Sequence, residues 1–168
     1  MGADGDDLHS VVIFRLSGEL FAIPVAEVRE VVPYAWLEQP PRMPTFIQGV
    51  LNLGGLAVPV LRLDVLLGTP SATIGLDASI LIMKTDDAPL ALLVEHVEGV
   101  RAAADFQYAA IDDRQSFQGC LAGQLSSPTF SVHLLSWHKV LLEEEGRRLE
   151  QFQHAAQVRL AELVDGEA

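Results

Sequence analysis

Apolar residues in this chain fall in short dense runs broken by glycine, proline and acidic positions, the pattern of strands joined by tight turns. The clearest stretch is IQGVLNLGGLAVPVLRLDVLLG, residues 47–68. Two apolar runs, 47–53 and 56–61, meet at Gly54-Gly55, a pair that supplies the positive φ of a two-residue hairpin turn without a Cβ penalty. A short helical turn over 62–67 then closes at Gly68, with Pro70 just beyond. Both strands are apolar at nearly every position, so both faces are expected to be buried or used for binding. Upstream, 11–16 is a β-branched and aromatic run, Ser17-Gly18-Glu19 turns it, and 20–25 returns as the second arm of a hairpin. Residues 26–32 (AEVREVV) place Val28, Val31 and Val32 at helical spacing and predict a helix ending at Pro33. Pro40, Pro41 and Pro44 keep the next connection extended along an edge, and 69–78 reads as a linker.

The second half echoes the first. Shifted by 69 residues, 11–31 lies without a gap on 80–100: Ile13 meets Ile82, Ala22 meets Ala91, and Val25, Val28 and Val31 meet Val94, Val97 and Val100. The turn at Ser17-Gly18-Glu19 falls on Asp86-Asp87-Ala88, another turn-forming triplet. Further on, IQGVL at Ile47 matches FQGCL at Phe117 and RLDVLL at Arg62 matches WHKVLL at Trp137, with extra residues placed around Ser126-Ser127-Pro128. Matched segments in the same order indicate a duplication into two lobes, about 11–68 and 80–142, rather than a repeat array. Each lobe has four or five short strands and a helical turn, and small lobes of this kind close into barrels to hide their edges. Strands are free to exchange between the lobes. After them, 143–168 holds an amphipathic helix, with Leu149, Phe152, Ala156, Leu160 and Leu163 at spacings of three and four, and a short tail. That helix either docks on its own barrels or awaits a partner.

Composition narrows the function. A chain of 168 residues buries roughly 70% of its unfolded surface and needs no disulfide or metal to fold. A net charge of −12 argues against nucleic acid and against an anionic membrane surface. Much of the acid lies at the ends: Asp4, Asp6 and Asp7 in an N-terminal stretch (1–10) expected to be disordered, then Glu143, Glu144 and Glu145, then the 165–167 tail. Cys120 is the single cysteine, which excludes an intramolecular disulfide and makes a reducing, cytoplasmic location the expectation. The start has neither a basic region nor a long apolar run, so no signal peptide or membrane span is expected.

Catalytic constellations are missing from the sequence. No G-x-S-x-G, P-loop, H-E-x-x-H or G-x-G-x-x-G occurs. His9, His96, His133, His138 and His154 are scattered, and His133 and His138 read as surface or capping residues. Asp112-Asp113 reads as a solvated loop, and Cys120, in an apolar run with no basic neighbour, as core. No catalytic, cofactor or metal site is expected. What remains is apolar surface: Val28 and Val31 with Val97 and Val100 either belong to the core between the lobes or line a shallow groove for an amphipathic helix.

The segments FRLSGELFAIPVAEVREVV, PRMPTFIQGVLNLGGLAVPVLRLDVLLG, LALLVEHVEGV and FSVHLLSWHKVLL, in this order, resemble the CheW family of bacterial chemotaxis coupling proteins. The run F-x-x-G-V-x-N-L-x-G-x-x-V-P-V from Phe46 is the most specific part. The resemblance implies a mainly β fold: two SH3-like five-stranded barrels around a shared hydrophobic core, short helices and a C-terminal amphipathic helix. It implies a non-enzymatic adaptor, cytoplasmic and recruited to membrane-associated receptor arrays without touching the membrane. Its partners would be the chemoreceptor cytoplasmic tip, the regulatory domain of a CheA-type kinase and other CheW-like proteins. By position, Val28, Glu30, Val31, Gly54, Val97 and Val100 become the receptor-groove candidates, and Val50, Leu53, Leu56 and Val58 the weaker kinase-contact candidates. Two departures stand out. The family's N-L-R-G is Asn52-Leu53-Gly54-Gly55 here, so Glu30 loses its usual arginine partner, a role open to Arg29 or Arg42. The family's D-L-R is reversed as Arg62-Leu63-Asp64. These departures imply either a coupling protein of an alternative chemosensory pathway, such as one controlling pili or gliding, or a regulatory or capping protein that binds only one partner.

Overall fold

The computed structural model describes residues 8–86, 88–111, 120–141 and 143–166. The acidic residues Asp4, Asp6 and Asp7, the Asp112-Asp113 pair and the Phe117 end of FQGCL lie outside them.

Among the described residues, eleven strands and two α-helices follow one another as β1 (Ser10–Leu16), β2 (Glu19–Pro24), β3 (Val28–Pro33), β4 (Ile47–Leu53), β5 (Leu56–Arg62), α1 (Leu63–Leu67), β6 (Ser79–Met83), β7 (Ala91–Val94), β8 (His96–Ala102), β9 (Gln107–Ala109), β10 (Leu121–Ser126), β11 (Ser131–Leu135) and α2 (Glu143–Gly166). They form a six-stranded sheet in the order β8-β1-β2-β11-β10-β9 and a five-stranded sheet in the order β3-β6-β7-β5-β4. Each sheet therefore draws on both halves of the chain. The first hairpin, β1–β2, joins the strands of the second half, and its echo, β6–β7, joins those of the first. Both exchanges are sealed by a parallel pair, β2 with β11 and β7 with β5.

The correspondence is exact down to the irregularities. Ile13 pairs Gly99 and Phe14 pairs Val97, leaving Glu98 as an extra residue; Ile82 pairs Glu30 and Met83 pairs Val28, leaving Arg29 extra in the same place. A second matched shift separates Ile47 from Gly49 and Leu121 from Gly123. Here the structure corrects the sequence alignment. Ile47 corresponds to Leu121, Gly49 to Gly123 and Leu61 to Leu135, a constant offset of 74. The IQGVL–FQGCL match at Phe117 and the RLDVLL–WHKVLL match at Trp137 are thus both out of register, the second by one residue, because apolar runs look alike at neighbouring offsets. The additional residues lie before β10 and not at Ser126-Ser127-Pro128.

The helix expected over 26–32 is also corrected. Residues 25–27 make a single 3₁₀ turn and 28–33 are strand β3. The bulge at Arg29 explains the misreading. An extra residue puts Val28 and Val31 on one face of a strand three positions apart, which is helical spacing.

Burial follows this plan. One large core lies between the sheets, built from Val12, Phe14, Phe21 and Ile23 of one and Leu61, Leu81, Met83 and Leu92 of the other. Each sheet also wraps a small core of its own, around Val60, Ile80 and Ile82 in the five-stranded sheet and Val11, Ile13 and Leu134 in the six-stranded one. Burying such side chains is worth about 1.5–3 kcal/mol each and supplies most of the driving force. Two glycines let a neighbouring segment pair closely beside each sheet, residues 37–38 along β4 and β9 along β10. A Cβ on Gly49 would sit 2.7 Å from Leu37 Cβ and 2.9 Å from the Glu38 carbonyl, and one on Gly123 would strike the Tyr108 ring.

Residues 69–78 are no free linker. The Asp64 carboxylate accepts from the Ala72 amide (2.9 Å), the Ser17 hydroxyl donates to the Pro70 carbonyl (2.6 Å), and Glu95 accepts from the Ser17 and Thr73 amides (2.8 and 3.1 Å). The helix α2 docks on its own chain: Leu149 and Leu160 are buried, and Leu160 covers Val50 and Ala57. Gln153 donates to the Ala57 carbonyl (3.2 Å), while Gln157 accepts from the Ala57 amide (2.9 Å) and donates to the Gly55 carbonyl (3.1 Å).

Candidate protein-binding site

Edge strands β3 and β8 each end a sheet, and their unpaired backbone is open to association. The bulges set which residues they present. Val28 and Val31 oppose Met83 and Leu81, and Val97 and Val100 oppose Phe14 and Val12, so all four valines lie on the faces that meet the core between the sheets. Val28 is buried in that core and Val97 packs against it, whereas Val31 is 42% and Val100 61% exposed. The two alternatives for these valines thus divide along each strand, an inner valine in the core and an outer one on its rim. The pattern gives an apolar rim a solid base.

Charge surrounds this rim unevenly. Glu30 is exposed on β3 next to exposed Arg29, and no ion pair joins Glu30 to Arg29 or Arg42 among the described residues. On β8, Glu98 meets Arg15 Nε of β1 at 3.3 Å, and Arg101 meets Asp105 at 3.8 Å while its guanidinium lies over the Phe106 and Phe130 rings.

Gly54 and Gly55 form the tip of the β4–β5 hairpin with φ of 60° and 93°, and the Gly55 amide donates to the Asn52 side chain at 2.9 Å. Gly54 is exposed, with nothing within 4 Å of where a Cβ would stand. Of the kinase-contact candidates, only Leu53 and Leu56 reach the surface: Val50 lies beneath α2, and Val58 is fully buried in the core of its own sheet. The Arg62/Asp64 reversal has an internal explanation that sequence reasoning missed. Asp64 is 5% exposed, its carboxylate meets Arg62 Nη2 at 3.3 Å, and it accepts from the Val65 and Ala72 amides at 2.9 Å each. The reversed pair anchors the chain as it leaves α1. No signal in the sequence shows that the acid points inward.

Cys120 is buried with its thiol donating to the Lys139 carbonyl at 3.5 Å, and burial, then the Glu145 carboxylate, push its pKa up despite Lys139. Burial likewise raises Glu27, with His138 acting against it. His133 lies beside Glu19 (3.5 Å) and the Phe21 ring. Among the described residues no three histidine, cysteine or acidic side chains gather as metal ligands, and no helix is long and apolar enough to cross a membrane.

Comparison with known proteins places these features in context. Residues 10–133 match the CheW-like domain family. The chain is 31% identical to Protein PilI of Pseudomonas aeruginosa over 52% of its own length and 49% of PilI. It is 24% identical to the chemotaxis protein CheW of Rhizobium meliloti over 58% of this chain and 63% of that one. The matches thus span about half to under two thirds of these relatives. The crystal structure of the scaffolding protein TtCheW from Thermoanaerobacter tengcongensis superposes with a TM-score of 0.67 at 22% identity, covering 76% of this chain and 88% of that one. The mainly β, two-sheet architecture is shared with that scaffold, and the match over most of the described strands decides the family: the chain belongs to the CheW-like domain proteins.

Proposed function

We propose that the protein is a non-enzymatic adaptor that couples chemoreceptors to a CheA-type histidine kinase in a chemosensory array. The observation that carries this reading is the rim on β3 and β8, where Val31 and Val100 continue the buried valines Val28 and Val97 into solvent. An amphipathic receptor helix would lay its apolar face against those valines, with Glu30 as the adjoining charge. Leu53 and Leu56, beside the bare tip at Gly54, offer a second apolar surface for the kinase regulatory domain. Similarity to PilI supports an alternative pathway, the pilus branch over general chemotaxis. The protein would act in the cytoplasm at membrane-associated arrays.

Titration against the regulatory domain of CheA-type kinases from the same genome, and separately against a receptor-tip fragment, tests the proposal. Binding to both at independent sites is the expected result. Binding to the receptor alone would make the protein a cap or competitor, a second reading favoured by the missing arginine at Gly54. Binding to neither would overturn the adaptor function. Gly54→Arg is expected to tighten binding to standard receptor tips by giving Glu30 a cation, and an unchanged affinity would locate the divergence in the loop geometry.

A further inference from the structure

The bulges on β3 and β8 open onto two equivalent surface grooves that differ in one decisive respect. In the six-stranded sheet the groove is lined by Ile13, Leu20 and Phe130, with Arg15, Arg101 and Glu98 at its side. In the five-stranded sheet the corresponding positions are Ile82, Pro89 and Leu56, with Lys84 and Arg29. The bulge residue is therefore glutamate on one sheet, paired with Arg15, and arginine on the other, where it lines one groove with Lys84. In the first groove both cations are paired, Arg15 with Glu98 at 3.3 Å and Arg101 with Asp105 at 3.8 Å. In the second, two cations flank an apolar floor, and no ion pair or side-chain hydrogen bond engages either of them among the described residues. Asp86 also borders this groove and pairs with neither cation among the described residues.

Like charges lining one groove repel each other unless an opposite charge neutralises them. They are placed here on a protein of net charge −12, whose other paired arginines, Arg62 and Arg101, each have an acid. The groove has a volume of about 590 Å³ against about 330 Å³ for its counterpart, and its floor is apolar. A small inorganic anion would satisfy the cations and leave that floor bare. We propose that the Arg29–Lys84 groove docks an acidic segment of a partner protein whose carboxylates flank apolar side chains, the former meeting the two cations and the latter the half-buried Leu56 and Pro89. This goes beyond the adaptor reading, since it concerns the chemistry of one groove whichever partner supplies the segment.

The test uses the full chain and a short fluorescent peptide with two glutamates set between leucines, followed by anisotropy beside the same peptide with lysines. The glutamate peptide binds, and added salt weakens it. Arg29→Glu installs the acid that the other sheet carries, keeps the fold as judged by circular dichroism, and weakens binding by about tenfold or more. Glu98→Arg frees Arg15 and sets a second unpaired cation beside it in the other groove, and adds a second bound peptide. Equal binding of the lysine peptide, or an affinity untouched by Arg29→Glu, overturns the proposal. So does displacement by inorganic phosphate at peptide concentrations, which would mark a simple anion site. A change of native mass in Arg29→Glu without a change in peptide affinity would assign the groove to contact between copies. Leu56 belongs both to this groove and to the proposed kinase surface, but the peptide assay uses neither kinase nor receptor, so each reading can fail while the other stands.

Discussion

The two sheets share strand order, parallel seam and bulges, yet they end in different surfaces. On the five-stranded sheet, Val50 and Ala57 lie under α2; their counterparts on the other sheet are Gln124 and Ser131, one half-buried and one exposed. The backbone is the same, and only the covered copy is apolar. The same holds where each hairpin runs into its helical turn. Asp64 is buried and ties α1 to residue 72, whereas His138 in the corresponding place is exposed beside Trp137. A duplicated frame therefore keeps its hydrogen-bond ladder and spends its differences on side chains that face helix, linker or partner. Strand pairing constrains backbone groups that every residue carries, while the faces answer only to whatever packs on them.

The largest expected effect breaks this comparison at Asp64. Asp64→Ala strands Arg62 and leaves the Val65 and Ala72 amides without their acceptor, at a cost of about 3 kcal/mol; His138→Ala should cost well under 1 kcal/mol, and equal losses in urea denaturation would refute the asymmetry. Next, Gly49→Ala forces a Cβ against the Glu38 backbone and should cost about 2 kcal/mol. Gly123→Ala should cost less, because the Tyr108 ring can swing aside; the midpoints of thermal unfolding rank the two. Smaller still is the contribution of Gln157. Its replacement by alanine removes two hydrogen bonds to the hairpin, about 1 kcal/mol, and speeds exchange of the Ala57 amide without unfolding the sheets.

The smallest effect is one of pH. Burial raises the Glu27 pKa above 4.5, so from 4.5 up to its folded value the native state holds more proton than the unfolded chain. Stability from this group is therefore greatest in acid and falls as pH rises through that window. Glu27→Gln should flatten that part of the stability profile. A profile that keeps its slope would mean that another group is responsible.

Much of the fold was legible because local chemistry decides it. Gly54-Gly55 makes the hairpin, Ser17-Gly18 makes the earlier one, and the gap-free echo of 11–31 in 80–100 corresponds to equivalent strands with the same pairing. The valines were legible as a set, since a strand bulge and a helix both bring positions three apart to one face. Which of the two it was depended on Ile80 to Met83 lying alongside, a contact between segments some fifty residues apart. The +74 register of the second hairpins was hidden for a related reason. Apolar runs match at several offsets, and only inter-strand hydrogen bonds select one.

What the sequence determined by itself is the duplication, the turns, the β-rich character and the absence of familiar catalytic motifs, all of which rest on neighbours in the chain. Only the tertiary structure decided that the halves exchange hairpins, that α2 seals Val50, that Asp64 turns inward, and that Arg29 and Lys84 face one groove. Each of these depends on which distant segment a side chain meets, and the energy of burying or pairing it exists only once that segment is in place.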